Sequence, residues 1–138
     1  MRTILVSLVL AASLALAGCS GAEPPRPTPV ELPTDPPGTE PLDAPTIETQ
    51  LDTILLSAAE LSGTWVGPQR LLELTDTDRD AVIAHYDQAF SADGWETVED
   101  AAITRSLGRT WERDGHKVVL SLVTIDGTQV ALLFDSPE

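Results

Sequence analysis

The chain has 138 residues, enough for one domain, and 22 acidic against 8 basic side chains give it a formal net charge of −14. This acidic balance argues against binding to nucleic acid and against electrostatic adhesion to anionic lipid. The single cysteine excludes an intramolecular disulfide, so an apolar core must hold the folded part together.

The first 19 residues have the order of features that is typical of a secretory signal. Arg2 and the free amino group make a short positive region, and residues 4–17 are an uncharged apolar run of 14 residues, too short to span a bilayer comfortably. Small residues and the cysteine follow as Leu16-Ala17-Gly18-Cys19. This segment resembles the lipobox of bacterial lipoproteins.

The resemblance implies that residues 1–18 are a signal peptide cleaved between Gly18 and Cys19. It also implies a diacylglyceryl thioether on the Cys19 sulfur, and two acyl chains give a stable anchor on the extracytoplasmic face of the cell membrane. The alternative is an ordinary signal peptide with a chance cysteine. The composition, rich in Ala, Arg, Asp, Thr and Pro with one Lys and no Asn, is typical of a high-G+C bacterium such as an actinobacterium.

Residues 19–46 are predicted to be the lipidated cysteine and an acidic tether. The part after Cys19 contains nine of the eleven prolines and almost no apolar side chains, so we expect no core there. Proline favours an extended chain of about 3.1 Å per residue, which would let the domain stand roughly 80 Å from the lipid.

Residues 47–138 are predicted to be one small α+β domain whose clearest element is a long helix. Apolar residues recur there on one face of a 3.6-residue period: Val82, Ile83, Tyr86, Ala89 and Phe90. Thr75 or Asp76 is expected to cap its start, and Thr75 with Asp78, or Thr77 with Asp80, matches a capping box. Gly94 suits the left-handed position after its end, so we expect Trp95 to fold back on Phe90 in a Schellman ending.

Strand signals flank this helix. They fall at residues 69–74, 95–99, 102–113 with an interruption at Gly108, 116–124 and 128–134, and Asp-Gly turns end two of them. The predicted order is β-α-β-β-β-β, an antiparallel sheet of about four to five strands with the long helix packed on one face. A short helix, capped at Ser57 and ended by Gly63, is expected to precede them.

Residues 51–61, Leu-Asp-Thr-Ile-Leu-Leu-Ser-Ala-Ala-Glu-Leu, are similar to the opening of sensor-type domains that lie outside the cell in actinobacterial lipoproteins and receptor kinases. The resemblance covers these eleven residues only, and no internal repeat is visible in the rest of the chain.

The sequence contains no recognisable catalytic or cofactor motif. It has no His-x-x-x-His or Cys-x-x-Cys spacing for zinc, no Gly-x-Ser-x-Gly elbow, no phosphate loop and no dinucleotide fingerprint, so no cofactor or metal is expected. His85 is expected to be a half-buried structural residue, and His116 to be exposed. Asp76, Asp78 and Asp80 resemble the start of a calcium loop, but capping of the helix explains them better because Ala81 stands where that loop needs glycine.

One basic strand is a candidate ligand site. Four of the seven basic residues after the signal fall between residues 105 and 117, and Arg109, Trp111 and Arg113 share one face of an extended strand. Arginine beside tryptophan can hold an anionic group or a sugar. The alternative is a surface strand whose arginine stems cover Trp111 and whose charges pair with Glu99, Asp100 or Glu112.

These observations predict a lipid-anchored extracytoplasmic protein whose small domain is a non-catalytic module that binds an envelope protein or an anionic ligand. A small envelope hydrolase with an unrecognised site is the main alternative. A purely structural or assembly role is the third, and a stable complex with an envelope protein would indicate it.

Overall fold

A computed structural model describes residues 27–62, 65–99 and 108–136, with the side chains of the first helix described as far as Ser57. The elements, in chain order, are β1 Thr39–Pro41, α1 Pro45–Ser62, β2 Gln69–Leu74, α2 Arg79–Ala92, β3 Glu96–Val98, β4 Arg109–Arg113, β5 His116–Ile125 and β6 Thr128–Asp135. The fold is α+β, as predicted. The predicted signal peptide, Cys19 and residue 105 lie outside the described residues.

The described strands form one antiparallel sheet in the order β1-β2-β6-β5-β4-β3. It therefore has six strands, where the sequence predicted four to five. The last four strands follow each other as a meander, and β2 lies against β6. Both Asp-Gly turns have two successive positive φ angles, at Asp114 (52°) with Gly115 (79°) and at Asp126 (50°) with Gly127 (83°), as type I′ hairpins require.

Helix α2 packs on one face of the sheet through the apolar stripe that the sequence predicted. Val82, Tyr86 and Phe90 are buried against β4, β5 and β6. Phe90 stacks on Trp111 with ring centroids 4.5 Å apart, and Trp111 is 1% exposed. This layer is the main core of the protein. Within the described residues, neither helix combines the length and hydrophobicity that a membrane crossing needs.

The start of α2 differs from the prediction. Asp78 is the N-cap, and its carboxylate accepts a hydrogen bond of 2.8 Å from the Ala81 N–H. Thr75 and Asp76 are bound to Gly38 instead: both backbone N–H groups donate to its carbonyl, at 3.0 and 2.9 Å, and the Thr75 hydroxyl donates to the same oxygen at 3.1 Å. The helix therefore begins later than a cap at either residue would place it.

The Schellman ending of α2 is confirmed. Gly94 has a φ of 81°, the Trp95 N–H donates to the Phe90 carbonyl at 2.9 Å, and the Gly94 N–H donates to the Ser91 carbonyl at 3.2 Å. The Phe90 and Trp95 rings meet edge to face at 5.3 Å. The chain is thereby turned directly into β3.

Helix α1 begins at Pro45 and has 18 residues, so the prediction of a short helix capped at Ser57 is wrong. Proline is favoured in the first turn because the N–H it lacks would have no helical partner there. Leu51 and Leu55 are buried one helical turn apart, and Ile47 is partly buried one turn earlier. Ser57 thus lies inside the helix, where its hydroxyl is not a cap.

The folded part also begins earlier than residue 47, so the predicted tether of residues 19–46 is too long. Residues 30–38, which we call the strap, run across α2, and Leu32 joins the main core with 9% exposure. The Val30 N–H donates to Asp135 Oδ2 at 3.0 Å, and Arg70 donates to the Pro33 carbonyl and to Asp35 Oδ1. β1 then pairs with β2, and the chain crosses to the opposite face of the sheet, where α1 lies.

Candidate functional site

The second face of the sheet, opposite α2, also carries apolar side chains that have to be shielded from water. Along β5 the buried residues Val118, Leu120 and Leu122 point to α2, and the alternate positions point to the other side. Those alternate positions are Lys117, Val119, Ser121, Val123 and Ile125. This second face is therefore largely apolar, like the first.

Helix α1 covers only part of this face. Its residues Ile47 and Leu51 form a small second core with Leu42 and Val130, which β6 contributes. Beside this core, between α1 and the sheet, lies a cavity of about 570 Å³, which we call the groove. Its lining residues are Leu51, Ile54, Leu55, Thr110, Lys117, Val119, Ser121, Val123, Ile125, Leu132, Phe134 and Ser136.

The groove changes in chemistry along β5. At the Ile125 end its lining is aliphatic, since Val123 and Ile125 pack against α1. At the other end Lys117 lies beside Ser136, whose N–H donates to the Lys117 carbonyl at 2.7 Å. A groove of this volume, mostly apolar and with a few polar groups at one end, has the features of a small-molecule binding site.

Thr110 supplies a polar group that the fold leaves without a partner. It lies opposite Val119, and Val119 lies opposite Phe134, so the three form one row across β4, β5 and β6. Thr110 is 2% exposed, yet its hydroxyl has no hydrogen-bond partner among the described residues. Buried hydroxyls are nearly always paired, so the unpaired Thr110 hydroxyl is an exception that the fold tolerates beside the groove.

The rim of the groove includes one exposed apolar side chain of α1. Ile54, which lines the groove, is 66% exposed. Leu56 is 58% exposed, but it lies two residues further along the helix and does not line the groove. An apolar ligand in the groove would bury part of Ile54.

The three residues predicted to bind a ligand lie on one face of β4, as the alternation predicted, but this face is turned toward α2. Trp111 is a core residue, and its Nε1 donates to Asp87 Oδ1 at 2.9 Å, so it offers no open ring to stack on a ligand. The tryptophan part of that prediction is therefore wrong. The reason is that alternation groups residues by face but does not tell which face a helix covers.

The two arginines of that prediction have partners within the protein. Arg109 donates to Asp87 Oδ2 at 2.8 Å, and Arg113 donates to the carbonyl and carboxylate of Asp93. The Arg113 guanidinium carbon also lies 4.8 Å from the centre of the Trp95 ring, a cation–π arrangement. These acidic partners belong to α2 and its end, and differ from those that the sequence suggested. Binding of a ligand by the arginines stays a prediction.

Both histidines take part in contacts with other elements. His85 Nε2 lies 2.9 Å from the Thr34 carbonyl of the strap, which gives this residue the structural role that was predicted. His116 is half-buried and not exposed as predicted, because its Nδ1 lies 3.6 Å from Oδ1 of the fully buried Asp135. Neither residue is part of the lining of the groove.

Burial changes the acidity of the tyrosine under the strap. Tyr86 is 0% exposed, and burial, reinforced by the negative charge of Asp35 and opposed by Arg70, raises its pKa to about 12. The phenol is therefore neutral at physiological pH, and its ring is part of the main core. Within the described ranges, no group of three or more His, Cys, Asp or Glu side chains is arranged to hold a metal ion.

Two other depressions are more polar than the groove. One, of about 550 Å³, lies along β3 and is lined by several acidic side chains, among them Glu96, Glu99 and Glu112. The other, of about 380 Å³, separates the strap from the end of α2. Neither has the apolar floor that distinguishes the groove.

No protein-family model, no curated protein and no solved structure matches this chain. The site therefore has to be judged by its own geometry. The sequence did contain one signal for the groove: residues on both faces of β5 are apolar, although α2 can cover only one of them.

Proposed function

We propose that this protein is a lipid-anchored extracytoplasmic lipoprotein whose small α+β domain is a non-catalytic binding module, with its ligand site in the groove. The observation that carries the binding proposal is an apolar groove of about 570 Å³. The lipobox at Leu16-Ala17-Gly18-Cys19 supports the anchor.

Because the strap is packed on the domain, the tether between the lipid and the domain is shorter than the sequence predicted. If Cys19 carries the lipid, Val30, where the packed chain begins, is the eleventh residue after it. Eleven extended residues reach about 35 Å, and not the roughly 80 Å expected for a free segment of residues 20–46. The domain would therefore stay close to the membrane surface.

A titration with an apolar dye tests the binding site. Residues 20–138 contain every described element, and 1-anilinonaphthalene-8-sulfonate would report occupation of the groove by its fluorescence. Ser121→Phe places an aromatic ring in the groove floor and is expected to weaken dye binding at least about tenfold. Thr124→Phe, which adds the same ring at an exposed position of the same strand, is the matched control. Equal dye affinity in both variants and the parent would refute the groove as the site.

Metabolic labelling tests the anchor. Cells that express the full chain and are fed an alkynyl palmitate are expected to yield a labelled protein in the membrane fraction. The Cys19→Ser variant is expected to carry no label, because this cysteine is the only one in the chain. Label that persists in Cys19→Ser would remove the lipoprotein proposal.

A small envelope hydrolase is the second candidate, and one observation favours it. His116 Nδ1 lies 3.6 Å from Oδ1 of the buried Asp135, which is longer than a hydrogen bond, and a closer approach would make the His–carboxylate pair that general-base catalysis uses. However, the other oxygen of Asp135 accepts from the Val30 N–H, which gives this carboxylate a role in holding the strap. Hydrolysis of a p-nitrophenyl ester that disappears in His116→Gln would favour the enzyme over the binding module.

A further inference from the structure

We infer that the groove holds one of the two acyl chains of the protein's own lipid anchor, the lipid attached to Cys19. This inference rests on the proposed function, which supplies both the anchor and the groove as a binding site. An acyl chain held in this way ends in an ester bond to the anchor and has no free carboxylate. It therefore needs no charged partner in the protein.

The strap begins at the end of the groove that Phe134 and Ser136 line. The Val30 N–H donates to Oδ2 of Asp135 at 3.0 Å, and Asp135 stands between these two lining residues in the chain. Asp135 itself lies opposite Val118 on the face that α2 covers, because side chains alternate along a strand. The tether therefore joins the domain at this end of the sheet, separated from the groove by the thickness of the sheet.

The tether is long enough to bring the lipid to the groove. Val30 is the eleventh residue after Cys19, and an extended proline-rich chain of that length reaches about 35 Å. Along β5 the groove is lined from Val119 to Ile125, six residues apart, which makes roughly 20 Å at about 3.3 Å per residue. The Cys19 sulfur can thus lie beside Ser136, with an acyl chain running toward Ile125, while the strap stays in place.

The lining of the groove suits a hydrocarbon. Leu51, Ile54 and Leu55 of α1 line it together with aliphatic side chains of β5 and β6, so an unbranched chain has apolar contacts along most of its length. Lys117 already takes part in an interaction within the protein, and the hydroxyl oxygen of Thr110 is buried. The groove therefore selects its occupant by apolar contact, which favours an esterified acyl chain over a charged lipid.

Attachment to the domain favours the protein's own chain over other lipids. A group joined by a short tether is present at an effective concentration in the millimolar range. Transfer of an acyl chain from the bilayer to the groove exchanges one apolar environment for another, whereas the lining, with the exposed Ile54, is removed from water. The formal net charge of −14 opposes adhesion to an anionic bilayer, from which the domain would have to extract a phospholipid.

Occupation of the groove weakens the anchor. Two acyl chains in a bilayer hold a protein stably, whereas a single chain gives only marginal and reversible binding. With one chain in the groove, one chain of the diacylglyceryl group is left in the bilayer. The protein can then move from one membrane to another, and the groove determines how firmly the membrane holds it.

Transfer between vesicles tests this consequence. The lipidated protein, produced from the full chain in cells, would be placed in phosphatidylcholine vesicles and mixed with acceptor vesicles of the same lipid. Ser121→Phe fills the groove and is expected to slow transfer at least about tenfold, because both acyl chains then stay in the bilayer. Thr124→Phe, at an exposed position outside the groove, is the matched control and should transfer like the parent. Equal transfer of all three proteins would overturn the inference.

Photocrosslinking identifies the occupant in the parent protein, without any substitution. Cells would be fed a palmitate that carries an alkyne and, near its chain end, a diazirine, and the lipidated protein would be illuminated in phosphatidylcholine vesicles. Adducts are expected on peptides that contain Ile125 or residues 51–55 of α1, which line the groove. Adducts with vesicle lipid alone would overturn the inference even if Ser121→Phe proved to be poorly folded.

A second protein distinguishes the chain of the same molecule from that of another. The Cys19→Ser full chain, made with heavy isotopes and free of lipid, would be added in excess before illumination. Adducts are expected on light peptides only. Adducts on heavy peptides in proportion to their amount would show that the groove takes its occupant from a neighbouring molecule, against the intramolecular assignment.

Failure of this inference and failure of the proposed function give different results. Palmitate on Cys19 without an adduct in the groove would overturn the assignment and leave the anchor, and the dye titration of residues 20–138 would still decide whether the groove binds apolar molecules. A protein without palmitate on Cys19 would overturn the anchor and the assignment together.

Discussion

Trp111 donates a hydrogen bond of 2.9 Å from its indole Nε1 to Oδ1 of Asp87, across the interface between the sheet and α2. The second oxygen of this carboxylate accepts from Arg109 at 2.8 Å. Trp111 is 1% exposed, whereas both members of the ion pair are about one-third exposed. One acidic side chain of α2 therefore satisfies a buried donor and fixes the edge strand pair against the helix.

Replacement of Asp87 by alanine should destabilise the protein by about 2 kcal/mol. Most of this loss comes from the Trp111 N–H, which would be left buried without a partner, a cost of roughly 1–3 kcal/mol. The ion pair with Arg109 adds little because solvent screens it. Urea unfolding of residues 20–138 would measure the change. Gln88→Ala, at the next and exposed position of α2, should change stability by less than about 0.5 kcal/mol, and equal effects in both variants would contradict this role.

The sequence predicted those elements whose signals are local. The two Asp-Gly hairpins, the apolar stripe of α2 and its Gly94 ending each depend on a few neighbouring residues, and all three are present in the structure. The cap at Asp78 was missed because Gly38, which is distant in sequence, binds residues 75 and 76 through their backbone N–H groups and the Thr75 hydroxyl and so keeps them outside the helix. Long-range contacts of this kind leave no local pattern.

The packing of the strap and the position of the groove could not be predicted from the sequence for the same reason, because both depend on long-range contacts. The proline-rich composition predicted that residues 30–38 do not pack on the domain. In the structure, burial of Leu32 and hydrogen bonds of the strap backbone with Arg70 and Asp135 hold this segment in place. The alternation of side chains along β4 correctly placed Arg109 and Trp111 on one face, but it did not predict that α2 covers this face. Only the placement of α1 shows which apolar residues of the second face stay open.

Leu32→Ala should destabilise the fold by about 2–3 kcal/mol, because it removes a buried side chain that packs in the main core. Glu31→Ala, at the adjacent exposed position, should be close to neutral. Chemical denaturation of the two variants in residues 20–138 would compare them. A stability unchanged by Leu32→Ala would restore the longer tether that the composition suggested.

Gly94→Ala should cost about 1 kcal/mol of stability. The φ of 81° is unfavourable for a side chain, and nothing lies within 4 Å of the place where the added carbon would sit, so the effect is one of backbone conformation. Gly94→Asn should cost less, because asparagine tolerates the left-handed region better than alanine. Thermal unfolding would rank the three proteins, and alanine as stable as glycine would count against the Schellman ending.

The single tyrosine of the chain makes the acidity of Tyr86 directly observable. Burial, aided by Asp35, raises the pKa of its phenol to about 12, and an unfolded tyrosine titrates near 10. Ultraviolet absorbance of the phenolate should therefore rise near pH 12 in the folded protein and near pH 10 in concentrated urea. A midpoint near 10 under both conditions would mean that the phenol is solvated in the native state.

The same shift links stability to pH. Between pH 10 and 12 the unfolded state releases the Tyr86 proton and the folded state keeps it, so the folded state binds more protons and alkali favours unfolding. The contribution is complete below pH 10, and about 2–3 kcal/mol should be lost as the pH rises to 12. Tyr86→Phe keeps the ring and removes the proton, so its stability should fall less over this interval in urea unfolding at stepped pH. Parallel declines in the two proteins would assign the loss to other groups.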